Sequence, residues 1–426
     1  MSERSAGTGW GGVLISSAAA VGWAYLAMAA VAALGLHLLG ADAVGSLGPM
    51  TAAATALAVG GSVTPTGAVG VFGMEVEPAQ AAVSITPLGV GLTGALVLGW
   101  LFVRSLRGAG AVVGGAELAA RAAGVVVLFT AVLGGLVWAG SGSVTIDGAK
   151  LPAGAGDTVP GGDLLDGLGD LGEVGGGLED ALGEMAQAEA TVGFDVDAAP
   201  TILGGLLWVL CVLAISLASS RTSPLPRGWE ALHRTVRPAA SALRTVLVLA
   251  VAAGGAAAAY AALTEDARGQ IAGGALLGAP NGVWLAVPLG LFVPWHGEAT
   301  GQLKGVLPSP LDELLSAEDS SITLGRLAEL DGRVWLLAAA CALMMLTAGV
   351  LTAARTPYSG VPGTAGQSAG AFAGRCALWL AAAGAVALPL LVWLTGVSAD
   401  ASLSVFGFDA VGAGVQLHGS VPLALL

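Results

Sequence analysis

The chain has 426 residues, of which 55% are hydrophobic and only 11% charged, and it carries a net charge of -13. Soluble domains carry roughly 25% charged residues, so a water-soluble fold is excluded and an integral membrane protein is expected. With 16 Lys and Arg against 29 Asp and Glu, there is no basic footprint for nucleic acid.

In chain order, the first apolar run, Val13–Leu39, is too long for a signal-peptide core and no small-residue cleavage site follows it, so it reads as an uncleaved membrane helix. Further runs of spanning length are Val83–Val103, Ala120–Gly140, Thr201–Ser219, Ala239–Leu263, Val334–Ala354 and Cys376–Gly396. A span needs about 20 apolar residues, and the abundant Gly and Ala suit close helix approach in lipid. Trp23, Trp100, Trp138, Trp208, Trp335, Trp379 and Trp393 lie in or near these runs and are candidate interface anchors. Cys211, Cys341 and Cys376 fall in or beside apolar runs and read as small buried hydrophobes.

The segment Ile271–Trp295 is apolar but interrupted by Gly278-Ala279-Pro280-Asn281-Gly282 and again by Pro288 and Pro294. Each proline removes a backbone donor and clashes with the preceding turn, which predicts a broken or re-entrant hairpin. The fold expected is therefore an all-α polytopic bundle of about seven spans plus one re-entrant segment, with small extracytoplasmic strands. A continuous helix here would make eight spans.

Basic residues set the orientation. Arg104, Arg107, Arg121, Arg221, Arg227, Arg234, Arg237, Arg355 and Arg375, with Arg4 and Arg244, put eleven of the 16 on one side. Lys150, Arg268, Lys304, Arg326 and Arg333 fall on the other, so the N-terminus is expected in the cytoplasm of a plasma membrane. Of the 29 acids only Glu3, Glu117 and Glu230 lie on the basic side.

The chain then divides into the first helices with an exterior loop at 40–82 (1–140), an acidic Gly-rich exterior loop (141–199), a helix pair (200–263), the broken segment with an acidic loop (264–332), a second pair (333–398) and an exterior tail (399–426). Within Gly161–Glu189, leucines recur at helical spacing, although a solvated acidic segment explains the pattern as well. A short pattern recurs as Val71-Phe72-Gly73-Met74-Glu75, Thr191-Val192-Gly193-Phe194-Asp195 and Val405-Phe406-Gly407-Phe408-Asp409. Its period-two flanks predict strands near 69–77, 143–147, 191–197 and 402–409, joined in one cap. Ser420–Leu426 turns apolar and stops after seven residues, which reads either as the start of a further span or as a tail folded back on the cap.

No nucleophile elbow, phosphate loop, HExxH motif or metal-type histidine spacing is present; His37, His233, His296 and His418 stand alone in sequence. Charged residues buried mid-span, which would mark ion paths, are nearly absent. No enzyme, cofactor or metal is expected. The remaining polar candidates are the break itself, Gly278, Pro280, Asn281, Gly282 and Trp284, followed by Trp295, His296 and Glu298.

The Ala/Gly-rich spans, the Gly278–Trp284 break, the Phe406–Asp409 strand and the run Arg326-Leu327-Ala328-Glu329-Leu330-Asp331-Gly332-Arg333 resemble the streptophobe family. The resemblance implies a very hydrophobic actinobacterial membrane protein of unassigned function and supplies no catalytic motif. Two functional expectations follow. The first is a non-enzymatic role in envelope assembly or partner binding, with the lipid bilayer and an envelope or membrane protein as the expected partners. The second is a channel or transporter built on the break.

Overall fold

The computed structural model describes residues 10–66, 69–71, 74–76, 80–84, 86–108, 114–147, 189–220, 236–300, 321–357, 368–405 and 408–425. The helices are α1 (Trp10–Leu38), α2 (Leu47–Leu57), α3 (Leu88–Gly108), α4 (Gly115–Ala139), α5 (Ala198–Ser219), α6 (Arg237–Thr264), α7 (Arg268–Gly290), α8 (Leu324–Leu330), α9 (Trp335–Arg355), α10 (Ala369–Leu394) and α11 (Val421–Ala424). Eight of them, all but α2, α8 and α11, are long and apolar enough to cross a bilayer. A helix satisfies its own backbone donors and acceptors, which is what an apolar solvent demands.

The first five helices share one core. Tyr25 of α1 stacks on Phe129 of α4 at 4.8 Å, and Phe129 stacks on Trp208 of α5 at 5.2 Å. Leu98, Phe102, Leu133 and Val209 close around them. The Tyr25 hydroxyl donates to the Phe129 carbonyl at 3.0 Å, so its one polar atom is satisfied inside the core. Trp208 is thus a core residue and not the interface anchor expected, whereas Trp23, Trp100, Trp138, Trp335 and Trp393 are more than half exposed.

The loop expected at 40–82 contains α2, whose Ala52, Ala53, Thr55 and Ala56 are buried. Its C-terminal turn carries Ala58 and Val59 into the same core, then reverses at Gly60, where φ is 88°. Gly60 is free to take that left-handed conformation, and its backbone lies against Gly204 of α5, where any Cβ would collide with the Gly60 carbonyl. Eleven residues give only about 16 Å of helix, so α2 dips into the bundle and returns.

The strands are β1 (Val63–Thr66), β2 (Val69–Val71), β3 (Met74–Val76), β4 (Gln80–Ser84), β5 (Gly142–Asp147), β6 (Glu189–Val196), β7 (Trp295–Thr300), β8 (Ser321–Ile322), β9 (Val397–Val405) and β10 (Phe408–Gly419). They make a three-stranded sheet β1-β6-β5, a five-stranded sheet β4-β9-β10-β7-β8 and the hairpin β2-β3. Pairing does join segments distant in sequence, as in Val63 with Val196 and Val83 with Ala399. The four expected strands fall into different pairings: the segments near 143–147 and 191–197 belong to one sheet, that near 402–409 to the other, and that near 69–77 to the hairpin β2-β3.

The recurring pattern is likewise not one structural unit. Phe194 lies inside β6, whereas Val71 pairs with Met74 across β2 and β3 and Val405 with Phe408 across β9 and β10, the residues 72–73 and 406–407 lying outside the described ones. The acidic segment Gly161–Glu189, apart from its last residue at the start of β6, lies outside the described residues.

Connectivity puts all these strands at one set of helix ends: after α2 and before α3, after α4 and before α5, after α7, before α9 and after α10. The opposite ends are linked through 109–113, 221–235 and 358–367. There Arg121 pairs with Glu117 at 3.0 Å and donates to the Ser105 carbonyl at 3.4 Å, a cation on the last turn of α3. Arg355 donates to Ser241 and Thr245, both at 3.2 Å, pinning the end of α9 to the start of α6.

The broken hairpin expected at Ile271–Trp295 is instead one helix, α7, continuous through Pro280 and Pro288. A count by length and composition therefore gives eight candidate spans in place of seven. Yet α7 starts with Gly269 beside the Leu38 carbonyl, at the end of α1. It finishes with Gly290 against Leu337 and Cys341, in the first two turns of α9. Five residues later the chain is in β7. Both ends of α7 thus sit at the sheet end of the bundle. The C-terminal segment also packs: Ser420 N–H donates to the Pro294 carbonyl at 3.0 Å, and Ala424 is buried with Val392 and Trp295.

Candidate functional site

The first turn of α3 is buried, with Leu88, Gly89, Val90 and Gly91 all inside the protein. A helix start leaves four N–H groups without intrahelical acceptors, and burying them without partners is costly. Asn281 of α7 supplies one partner. Its Oδ1 accepts from the Leu88 N–H at 3.0 Å, and its Nδ2 donates to the Thr86 carbonyl at 2.7 Å. Both ends of the amide are therefore used on the same short stretch of backbone.

Pro280 explains how the two helices come so close. A proline cannot bond to the carbonyl four residues earlier, which frees that of Leu276. Gly89 of α3 lies directly against it: a Cβ there would overlap the Leu276 carbonyl and sit 2.9 Å from that of Leu277. Only glycine permits this approach, and Cα–H groups facing a carbonyl soften the loss of its usual partner. One turn away, Leu277 packs on Gly35 of α1.

Of the other residues of the expected break, Gly278 and Gly282 face open space, with nothing within 4 Å of where a Cβ would be. Trp284 is half-buried and its indole N–H is buried without a partner. The five residues therefore do not converge on one cavity. Asn281 faces α3 and Pro280 is buried, while the two glycines lie on an open side of α7.

A small cavity exists deeper between α6, α7, α9 and α10, lined by Leu243, Leu247, Val287, Met344, Leu388 and Leu391 among others. Its lining is apolar, so a water there would lack hydrogen-bond partners. Among the described residues no three His, Cys, Asp or Glu side chains converge as a metal site.

His37, in the last turn of α1, and Asp42 just beyond it pair at 3.0 Å on the surface. His296 and His418, solitary in sequence, come together as ring neighbours across β7 and β10. Sequence reasoning picked out His296 but could not see its partner, because the register between two strands so far apart leaves no local signal.

No protein-family model matches the chain, and no curated protein or solved structure matches it. The helices themselves define the class: a multi-pass helical protein of membrane type, by the length and composition of eight helices.

Proposed function

We propose that the chain is a non-enzymatic plasma-membrane protein with a role in envelope assembly or partner binding; its resemblance to the streptophobe family implies the membrane class alone. Seven helices cross, α7 lies along the sheet side of the bundle as one continuous helix without crossing, and both sheets lie outside the cell on the partner-facing side. The N-terminus is cytoplasmic.

Two features support this topology. Seven crossings keep the Arg-rich linkers 220–238 and 355–375 on one side together with Arg4, as the positive-inside rule requires. They also keep β4, β7 and β9, strands of one sheet, on one side of the bilayer. Eight crossings would separate them.

The observation that carries the assembly reading over a channel is the engagement of Asn281. A permeation site at the break needs its polar atoms free to meet a solute, and here the side chain holds the Thr86 and Leu88 backbone. The joint is closed by glycine-mediated backbone contact.

Accessibility tests the proposal. In a cysteine-free background, cysteines at 221–238 and 355–375 are expected to resist an impermeant thiol reagent added to intact cells, while those at 150–188 react. Labelling of 355–375 from outside installs eight crossings. Labelling of Asn281→Cys from both faces of the membrane would return the channel.

A further inference from the structure

In the antiparallel pair β7–β10, His296 stands directly opposite His418, with Trp295 opposite Gly419 and Glu298 opposite Gln416. Side chains alternate along a strand. Trp295 is 1% exposed and packs inward with Leu289, Val293, Val392 and Ala424. His296, Glu298, His418 and Gln416 therefore share the outward face. The two imidazoles lie with centroids 5.8 Å apart and planes 22° from parallel. The Nδ1 of His296 is 3.4 Å from the Ser420 Oγ, and the Ser420 backbone is itself tied to Pro294 at 3.0 Å.

The geometry points to a binding site for a divalent transition-metal ion of the zinc class, held by His296 and His418. Directly opposite residues on antiparallel strands have Cβ atoms about 4.5–5.5 Å apart. Two nitrogens on one tetrahedral zinc lie roughly 3.3 Å apart, a separation that ring rotation from the stacked arrangement reaches. When Ser420 Oγ accepts the Nδ1–H of His296, the Nε2 lone pair is left for the metal, the usual second-sphere arrangement for a ligating histidine. Paired imidazoles suit zinc, copper or nickel and not magnesium or calcium.

No third His, Cys, Asp or Glu is already in place among the described residues. Water completes the coordination, and the Glu298 carboxylate lies on the same face two residues along. The ion would fasten β7, which follows α7, to β10, which leads into the tail packed on α10. It links parts of the cap that no covalent bond joins.

The untagged full-length protein in detergent micelles tests this with Zn2+, Ni2+ and Co2+, competed against an indicator chelator. One ion per chain is expected at micromolar affinity, undisturbed by millimolar Mg2+ or Ca2+. His418→Gln and His296→Gln should each weaken binding at least tenfold, and His37→Gln should not. Zinc should raise the thermal midpoint of the wild type and leave that of His418→Gln unchanged. Ser420→Ala should lower affinity several-fold without moving the metal-free midpoint. His418 is exposed, so His418→Gln is decisive even if His296→Gln misfolds. Binding in His418→Gln as tight as in the wild type, or no saturable binding below about 100 μM, overturns the assignment.

Discussion

The two halves of the bundle are held together differently. In α1 to α5 a single core of large side chains runs through the layers, and half of the most apolar stretch of α3 is buried inside the protein. In α6, α9 and α10 the shared core is Leu243, Val246, Ala348 and Leu380, and the corresponding stretch of α6 is only 6% buried. The first half is closed by aromatic stacking and by glycines seated against neighbouring side chains. The second leans on the Arg355 contacts with Ser241 and Thr245 and leaves an apolar cavity. Lipid tails are as apolar as leucine, so between membrane helices it is the quality of packing, not release of water, that separates a tight interface from a loose one. The loose half is where side chains can change at little cost.

The sharpest way to break this contrast is Phe129→Ala. It removes the central ring of the Tyr25–Phe129–Trp208 stack and should cost about 3–5 kcal/mol of stability, measured by unfolding in mixed micelles. A loss similar to that from an exposed Val386→Ala on α10 would mean that the stack is not the core it resembles.

Asn281→Leu comes next. It leaves the Thr86 carbonyl and the Leu88 N–H unpaired in a buried turn, an effect of about 1–3 kcal/mol. The same measurement checks it, and hydrogen exchange at Leu88 should accelerate with it. An unchanged Leu88 would mean that the joint does not depend on the amide.

Paired glycine substitutions test the contrast through its sign. A Cβ on Gly94 of α3 would collide with Met28, so Gly94→Ala should destabilise by roughly 1 kcal/mol. Gly384 of α10 lines the cavity with nothing within 4 Å of a Cβ. Gly384→Ala should therefore stabilise by about 0.5–1 kcal/mol, the ordinary gain of replacing a helical glycine. Equal signs for the two would erase the difference between the halves.

Much of this architecture was legible in residue order. Apolar runs long enough to cross a bilayer announced seven helices, because length and hydropathy are local properties and a helix closes its own hydrogen bonds. The boundaries moved at the ends. The run beginning at Val83 opens as strand β4 and becomes helical only at Leu88. The small helix α2 gave too short an apolar signal to be separated from its loop.

What tertiary structure decided was everything set by a second segment. Three prolines and two glycines predicted a break in 271–295, yet the chain stays helical through Pro280 and Pro288, and Gly89 takes up the space beside the carbonyl that Pro280 freed. Asn281 looked like a solute site because its sequence surroundings offer it no partner; its partners are the backbone of Thr86 and Leu88, on the far side of four helices in the chain. Strand tendency was readable at 143–147 and 191–197, but which strand pairs with which was not. The same holds for His296 and His418, which become neighbours only through the register of β7 on β10. Hydrophobic period and length are written into each segment alone, whereas register, close approach and the satisfaction of a buried amide are properties of pairs. Those pairs exist only once the chain has folded.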